Sequence, residues 1–137
     1  MSAPKLLVID DELDILVMIR DYFSVRGYQV LTAPDGLSGL ELLELERPEV
    51  VLLDLKMKQM DGDRFILEAK RKNIPSKILV ITGYQDEVLR ERVEKMGIDA
   101  FLEKPVSILE LQAKIQALLI AEKRISQTGQ KADNLLR

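Results

Sequence analysis

The sequence predicts an α/β fold: a five-stranded parallel sheet in the order 2-1-3-4-5, doubly wound by helices, with an extended C-terminal helix. Three observations predict it. Leu6-Leu7-Val8-Ile9, Val50-Val51-Leu52-Leu53 and Ile78-Leu79-Val80-Ile81 are short apolar runs without polar alternation. Such runs read as strands buried on both faces, as in a parallel sheet covered by helices. Strand-like and helix-like stretches then alternate strictly through five units, which argues right-handed crossovers with helices on both faces. The two remaining strands are weak and mixed, and three strong strands inside two weak ones is what the 2-1-3-4-5 order gives.

The elements follow in order. Residues 5–10 form the first strand. A helix over about 11–26 carries Leu13, Leu16, Ile19 and Phe23 at helical spacing, with Asp11 as a candidate cap and Gly27 at its stop. Tyr28, Val30 and Thr32 alternate with other residues, as in an edge strand. Pro34-Asp35-Gly36 is turn chemistry, and a second helix over about 35–46 faces Leu37, Leu40 and Leu43 or Leu45 inward until Pro48 bars its continuation. The third strand, 49–54, leads into a loop that Asp61-Gly62 punctuates. A third helix covers about 63–72, with Phe65, Ile66 and Ala69 apolar. The fourth strand is 77–82. A fourth helix starts at Asp86 and runs to about Met96, with Val88 or Leu89, Val93 and Met96 inward and Gly97 at its stop. The fifth strand is 99–103. Ser107-Ile108-Leu109-Glu110 is a capping-box pattern. It opens a long helix with Ile108, Leu111, Ile115, Leu118 and Ile125 on one face, expected to end by about Ser126. Residues 1–126 are thus expected to form the domain and 127–137 a flexible tail or the start of a linker.

Composition narrows the chemistry. The 137 residues suffice for one domain with a core, and 47% hydrophobic with 31% charged residues excludes general disorder. With no Cys and no His, disulfides, thiol nucleophiles, imidazole bases and zinc-type sites are excluded. A net charge of −3 without a basic stripe gives no support for nucleic-acid binding. The N-terminus is too short and polar for a signal-peptide core or a membrane span, so the expected location is the cytoplasm.

What remains is carboxylates, hydroxyls and lysine at one edge. The strong strands end in Asp10-Asp11, Asp54 and Thr82, and in open α/β sheets ligands bind at the strands' carboxyl ends. Carboxylates packed together repel, and a hard divalent cation removes the repulsion. Oxygen ligands select Mg²⁺ or Mn²⁺, and magnesium often binds through one or two carboxylates plus a phosphate. A carboxylate can be the nucleophile in phosphoryl transfer. The transferred group's equatorial oxygens then need cations and donors: the metal, the Thr82 hydroxyl and the Lys104 ammonium, which follows the fifth strand at the same edge.

Ile9-Asp10-Asp11-Glu12, Leu53-Asp54-Leu55-Lys56-Met57, Met60-Asp61-Gly62, Thr82-Gly83 and Phe101-Leu102-Glu103-Lys104-Pro105 together resemble the receiver domain of response regulators in two-component signalling, a CheY-like, flavodoxin-like fold. The likeness spans positions 5 to about 120. It implies that Asp54 accepts a phosphoryl group from a phosphohistidine on a sensor histidine kinase or histidine phosphotransfer protein. It implies Mg²⁺ held by Asp11, Asp54 and the backbone carbonyl of Lys56, with Asp10 acting mainly through water. Lys104 and Thr82 would engage the phosphoryl group and Phe101 would follow Thr82 inward, so that Asp54, Lys104 and Thr82 carry the chemistry. The face of the fourth helix, fifth strand and fifth helix would then meet a partner or form a homodimer, for which the extended last helix is a second candidate. The Lys104-Pro105 peptide is expected to be cis.

Two residues depart from the family pattern. Lys58 stands where the family usually has Pro, and Lys56 occupies a position that in such domains tunes dephosphorylation; a cation there either shields the acyl phosphate from water or weakens metal binding by repulsion, and slower hydrolysis is the working expectation. The expected protein is a switch, not a turnover enzyme, either complete or the amino-terminal piece of a longer regulator or hybrid kinase. A phosphatase with an aspartyl-phosphate intermediate, of the haloacid-dehalogenase type, would place a second Asp where this chain has Lys56. A degenerate scaffold would not need the intact acidic set.

Overall fold

A computed structural model describes residues 3–57, 60–83 and 87–135, with side chains through Ala121. The elements are β1 (Lys5–Ile9), α1 (Leu13–Ser24), β2 (Gln29–Ala33), α2 (Gly36–Glu46), β3 (Val50–Asp54), α3 (Gly62–Arg71), β4 (Lys77–Thr82), α4 (Glu87–Met96), β5 (Ala100–Glu103) and α5 (Ile108–Leu135). All strand pairings are parallel and the sheet order is β2-β1-β3-β4-β5. The apolar runs occupy the three central strands. Every residue of β3 is buried, whereas the edge strands β2 and β5 leave Gln29 and Glu103 exposed.

Because side chains alternate across a strand, the sheet divides the interior in two. Leu7, Ile9, Val51, Leu53, Ile78 and Val80 face one side, where Leu43, Phe65, Ile66 and Val93 of α2, α3 and α4 cover them. Leu6, Val8, Val50, Leu52, Leu79 and Ile81 face the other, under Leu16, Ile19 and Phe23 of α1 and Leu111, Ile115 and Leu118 of α5.

Local chemistry explains most boundaries. Asp35 caps α2 by accepting from the Ser38 backbone N–H at 2.8 Å, and Ser107 Oγ accepts from the Glu110 N–H at 3.4 Å as α5 begins. Gly27 and Gly97 both take φ +91° just past α1 and α4, a conformation that side chains with a Cβ resist.

Three expectations are corrected, and one left open is decided. Asp11 does not cap α1: the N-cap is Glu12, without a side-chain cap bond, and the helix starts at Leu13. In α2, Leu43 is buried and Leu40 partly so, but Leu37 and Leu45 are 54% and 77% exposed. The inward face is Gly36, Gly39 and Leu43. A Cβ on Gly39 would lie 2.5 Å from Ile9 Cδ1, so the helix rests closely on β1 at this glycine. In α4, the choice between Val88 and Leu89 falls to Leu89, which faces inward with Val93 and Met96 while Val88 is exposed. Finally, α5 continues past Ser126 to Leu135. The stretch holds good helix formers and no proline, and Gly129 alone costs only about 1 kcal/mol, too little to stop it. The proposed start of α4 at Asp86, Lys58 and the side chain of Ile125 lie outside the described residues.

Candidate functional site: an acidic cluster with one ammonium at the carboxyl edge of the sheet

The parallel register brings the site together. Leu53 pairs with Ile9 across β1–β3, so Asp10 and Asp54, each one residue farther on, leave adjacent strands side by side. Asp54 pairs with Ile81 and Thr82 with Glu103 across the next two ladders. The Lys104 N–H donates to the Thr82 carbonyl at 2.9 Å, fixing the lysine's backbone against β4. The Lys104-Pro105 peptide is cis, as expected.

Asp10, Asp54 and Thr82 are buried, and Asp11 is exposed at the rim. Asp10 Oδ1 accepts from the Glu12 N–H at 2.9 Å, and Asp54 Oδ1 from the Lys56 N–H at 3.3 Å. The Lys104 ammonium lies 3.3 Å from Asp54 Oδ2, 3.5 Å from Asp10 Oδ2 and 3.4 Å from Glu12 Oε1. Glu12 belongs to the quoted acidic motif, yet its reach to a lysine 92 positions away has no sequence signal.

Burial, reinforced by the neighbouring Asp10 charge, pushes the Asp54 carboxyl up to about 6, against the pull of Lys104 and of the Lys56 N–H. Asp10 is raised too, mainly by burial, with the Glu12 N–H and Lys104 opposing. Burial works against the Lys104 charge, but Asp54, Asp10 and Glu12 outweigh it and hold the ammonium above its ordinary pKa. The site thus holds more negative charge than one lysine balances.

A metal fits this imbalance. Asp10, Asp11 and Asp54 can each turn one carboxylate oxygen to within 4.8 Å of the others. An all-oxygen set suits a hard divalent cation. Beside it opens a cavity of about 680 Å³, lined by Asp11, Lys56, Met57 and Asp61 and walled farther out by α4.

The loop that leaves the site explains Met60-Asp61-Gly62. The Gly62 N–H donates to the Leu55 carbonyl at 2.9 Å, and a Cβ on Gly62 would stand 2.8 Å from Leu55 Cα. Only glycine permits that approach. Phe101 lies on β5 opposite Val80, half-buried against the α2–α3–α4 layer, with the Arg90 guanidinium 4.0 Å from its ring centroid. Sequence reasoning missed Arg90. No helix of the described residues is long and apolar enough to cross a membrane.

Comparison with known proteins agrees with the geometry. Residues 6–116 match the response regulator receiver domain. The chain is 35% identical over 137 residues to the probable transcriptional regulator ycf27 of Cyanophora paradoxa, covering 98% of this chain and 56% of that protein. It is 29% identical to the sporulation initiation phosphotransferase F of Bacillus subtilis, covering 87% of this chain and 96% of that one. A response regulator receiver domain protein from Clostridium thermocellum superposes with a TM-score of 0.82 at 30% identity, over 89% of this chain and 98% of that one. The chain spans about half the length of several transcriptional regulators that it matches. With the fold, the edge position of the acidic cluster and the match over most of its length in agreement, this chain belongs to the response regulator receiver domain family of two-component signalling.

Proposed function

We propose that this receiver is a phospho-switch whose acceptor is Asp54, charged by a phosphohistidine on a sensor histidine kinase or a histidine phosphotransfer protein. One observation carries the reading most. Asp54 ends the central buried strand with an ammonium 3.3 Å from one oxygen and two further carboxylates close enough to share a cation. A carboxylate so placed is held in a fixed position with a counter-charge already beside it.

In the transfer, an Asp54 oxygen attacks phosphorus and the phosphorus–nitrogen bond of the donor breaks. The bonding pair leaves with the imidazole nitrogen. Asp11, Asp54 and the Lys56 carbonyl would hold Mg²⁺ or Mn²⁺, with Asp10 acting mainly through water. The bound cation supplies charge neutralisation for the phosphoryl oxygens. Lys104 exchanges its pairing with Asp54 for a phosphoryl oxygen, and the Thr82 hydroxyl donates to another. Phe101 follows Thr82 inward, and the face of α4, β5 and α5 reports the change to a partner. The setting we assign is the cytoplasm.

The test is intact mass measurement after incubation with acetyl phosphate and Mg²⁺. A single added phosphate, absent from Asp54→Ala and dependent on the metal, is the expected result. An unmodified wild type that also ignores beryllofluoride defeats the proposal and leaves the scaffold reading first.

A further inference from the structure

We infer that Arg90 is a positioning residue for Phe101: its guanidinium, anchored by Glu103 and Glu94, latches the ring in its present place and sets how readily the site responds. The inference rests on the receiver reading above, in which Phe101 moves once Asp54 is occupied.

The geometry is specific. Alternation along β5 puts Phe101 and Glu103 on the same side of the strand, with Leu102 on the other. Arg90 rises from α4 and spans both. Its Cζ sits 4.0 Å from the Phe101 ring centroid, and its Nη1 donates to Glu103 Oε1 at 2.8 Å. Its Nε donates to Glu94 Oε1 at 3.2 Å, one helical turn farther along α4. A planar, forked cation can stack on a ring and pair with two carboxylates at once, which a lysine ammonium cannot.

The anchor is joined to the site. Glu103 is the register partner of Thr82, and the next residue, Lys104, donates its N–H to the Thr82 carbonyl. A path therefore runs from Thr82 across the β4–β5 ladder to Glu103, and from Glu103 through Arg90 to Phe101. The stacking of Arg90 on Phe101 exists with the ring where it is, and it is lost if the ring withdraws. A contact made in one state and lost in the other shifts the balance between them. Here it opposes the responding state. Glu94 and Glu103 are solvent-exposed and Arg90 is half-buried, so each ion pair is weak and the bias is a few-fold, a setting and not a lock.

The experiment titrates the full chain with beryllofluoride in the presence of Mg²⁺. Asp54→Ala serves as the control for the receiver reading, and thermal unfolding confirms that each variant is folded. Arg90→Ala is expected to bind beryllofluoride about threefold more tightly than wild type. Glu103→Gln is expected to move the same way by less. In a Phe101→Leu background the gain from Arg90→Ala should vanish, because the latch acts through the ring. Unchanged or weaker binding by Arg90→Ala, or an equal gain without the Phe101 ring, overturns the latch while the receiver reading stands. A wild type that binds no beryllofluoride removes both.

Discussion

The Lys104 ammonium and the Asp54 carboxylate meet at 3.3 Å across 50 positions of sequence, and the lysine is shared with Asp10 and Glu12 at nearly the same distance. One cation thus offsets several anions, two of them buried. Removing it leaves carboxylates unpaired where burial already disfavours their charge. Lys104→Met is expected to destabilise the metal-free protein at neutral pH by about 2 kcal/mol, with Mg²⁺ restoring part of the loss. Chemical denaturation with and without the metal checks this. Equal stability of variant and wild type would mean that the pairing contributes nothing net.

The Asp54 carboxyl, raised from 3.8 to about 6, gives a pH dependence of definite sign. Between those values the folded state binds more protons than the unfolded one, so this group favours folding most below 3.8 and loses that contribution as pH rises through about 6. Asp54→Asn cannot ionise. In metal-free buffer it should be more stable than wild type above pH 6, by up to about 3 kcal/mol, with the difference shrinking toward pH 4. A variant no more stable at pH 7 than at pH 4, relative to wild type, contradicts the assigned burial effect.

Protons and a divalent cation compete for the same carboxylates. Mg²⁺ is expected to raise the midpoint of thermal unfolding at pH 7 to 8 and to do so less as pH falls through about 6. Monovalent salt at matched ionic strength is the control. If it reproduces the whole shift, the effect is general screening and the three aspartates hold no specific ion.

Gly62 tests the loop that frames the site. A methyl group there would stand 2.8 Å from Leu55 Cα and the same distance from Leu55 Cδ2, and backbone cannot step aside as a side chain can. Gly62→Ala should cost about 1–3 kcal/mol and weaken beryllofluoride binding, since Leu55 adjoins Asp54. Gly83→Ala is the contrasting substitution, because a Cβ at Gly83 meets no atom within 4 Å.

Lys56 lines the cavity beside Asp11, and its N–H is bonded to Asp54. Its charge is expected to shield the acyl phosphate from water. Lys56→Ala should shorten the phosphorylated lifetime about threefold, read as loss of the added mass over time after donor removal. An unchanged lifetime sets the idea aside.

The central sheet and the acidic edge were legible in the sequence for one reason. A buried parallel strand writes itself as an unbroken apolar run, and the residue after the run lies at the strand's carboxyl edge, where the candidate site is. Asp54 and Thr82 needed no structure to be placed, and Asp10 followed the same rule. The inward face of α2 was hidden because glycine carries no hydrophobic signal: Leu37 was the natural choice, and Gly39 holds the contact with Ile9 instead. The end of α5 was hidden because a polar stretch without a breaker reads as tail or as helix equally well. Arg90 and Glu12 were hidden because their partners are set by tertiary geometry, and an exposed arginine or glutamate has the same local pattern whether or not it is engaged.

The partition of the interior by the sheet has a mechanical consequence. Phe101 belongs to the layer under α2, α3 and α4, while Leu102, its neighbour on β5, belongs to the layer shared by α1 and α5. A side-chain rearrangement at Phe101 therefore takes place within the layer under α2, α3 and α4. A shift of β5 as a whole would disturb both layers, because the strand contributes side chains to each. A rearrangement of the Phe101 ring alone would thus reach α4 first, and a shift of the strand would be needed to reach α5.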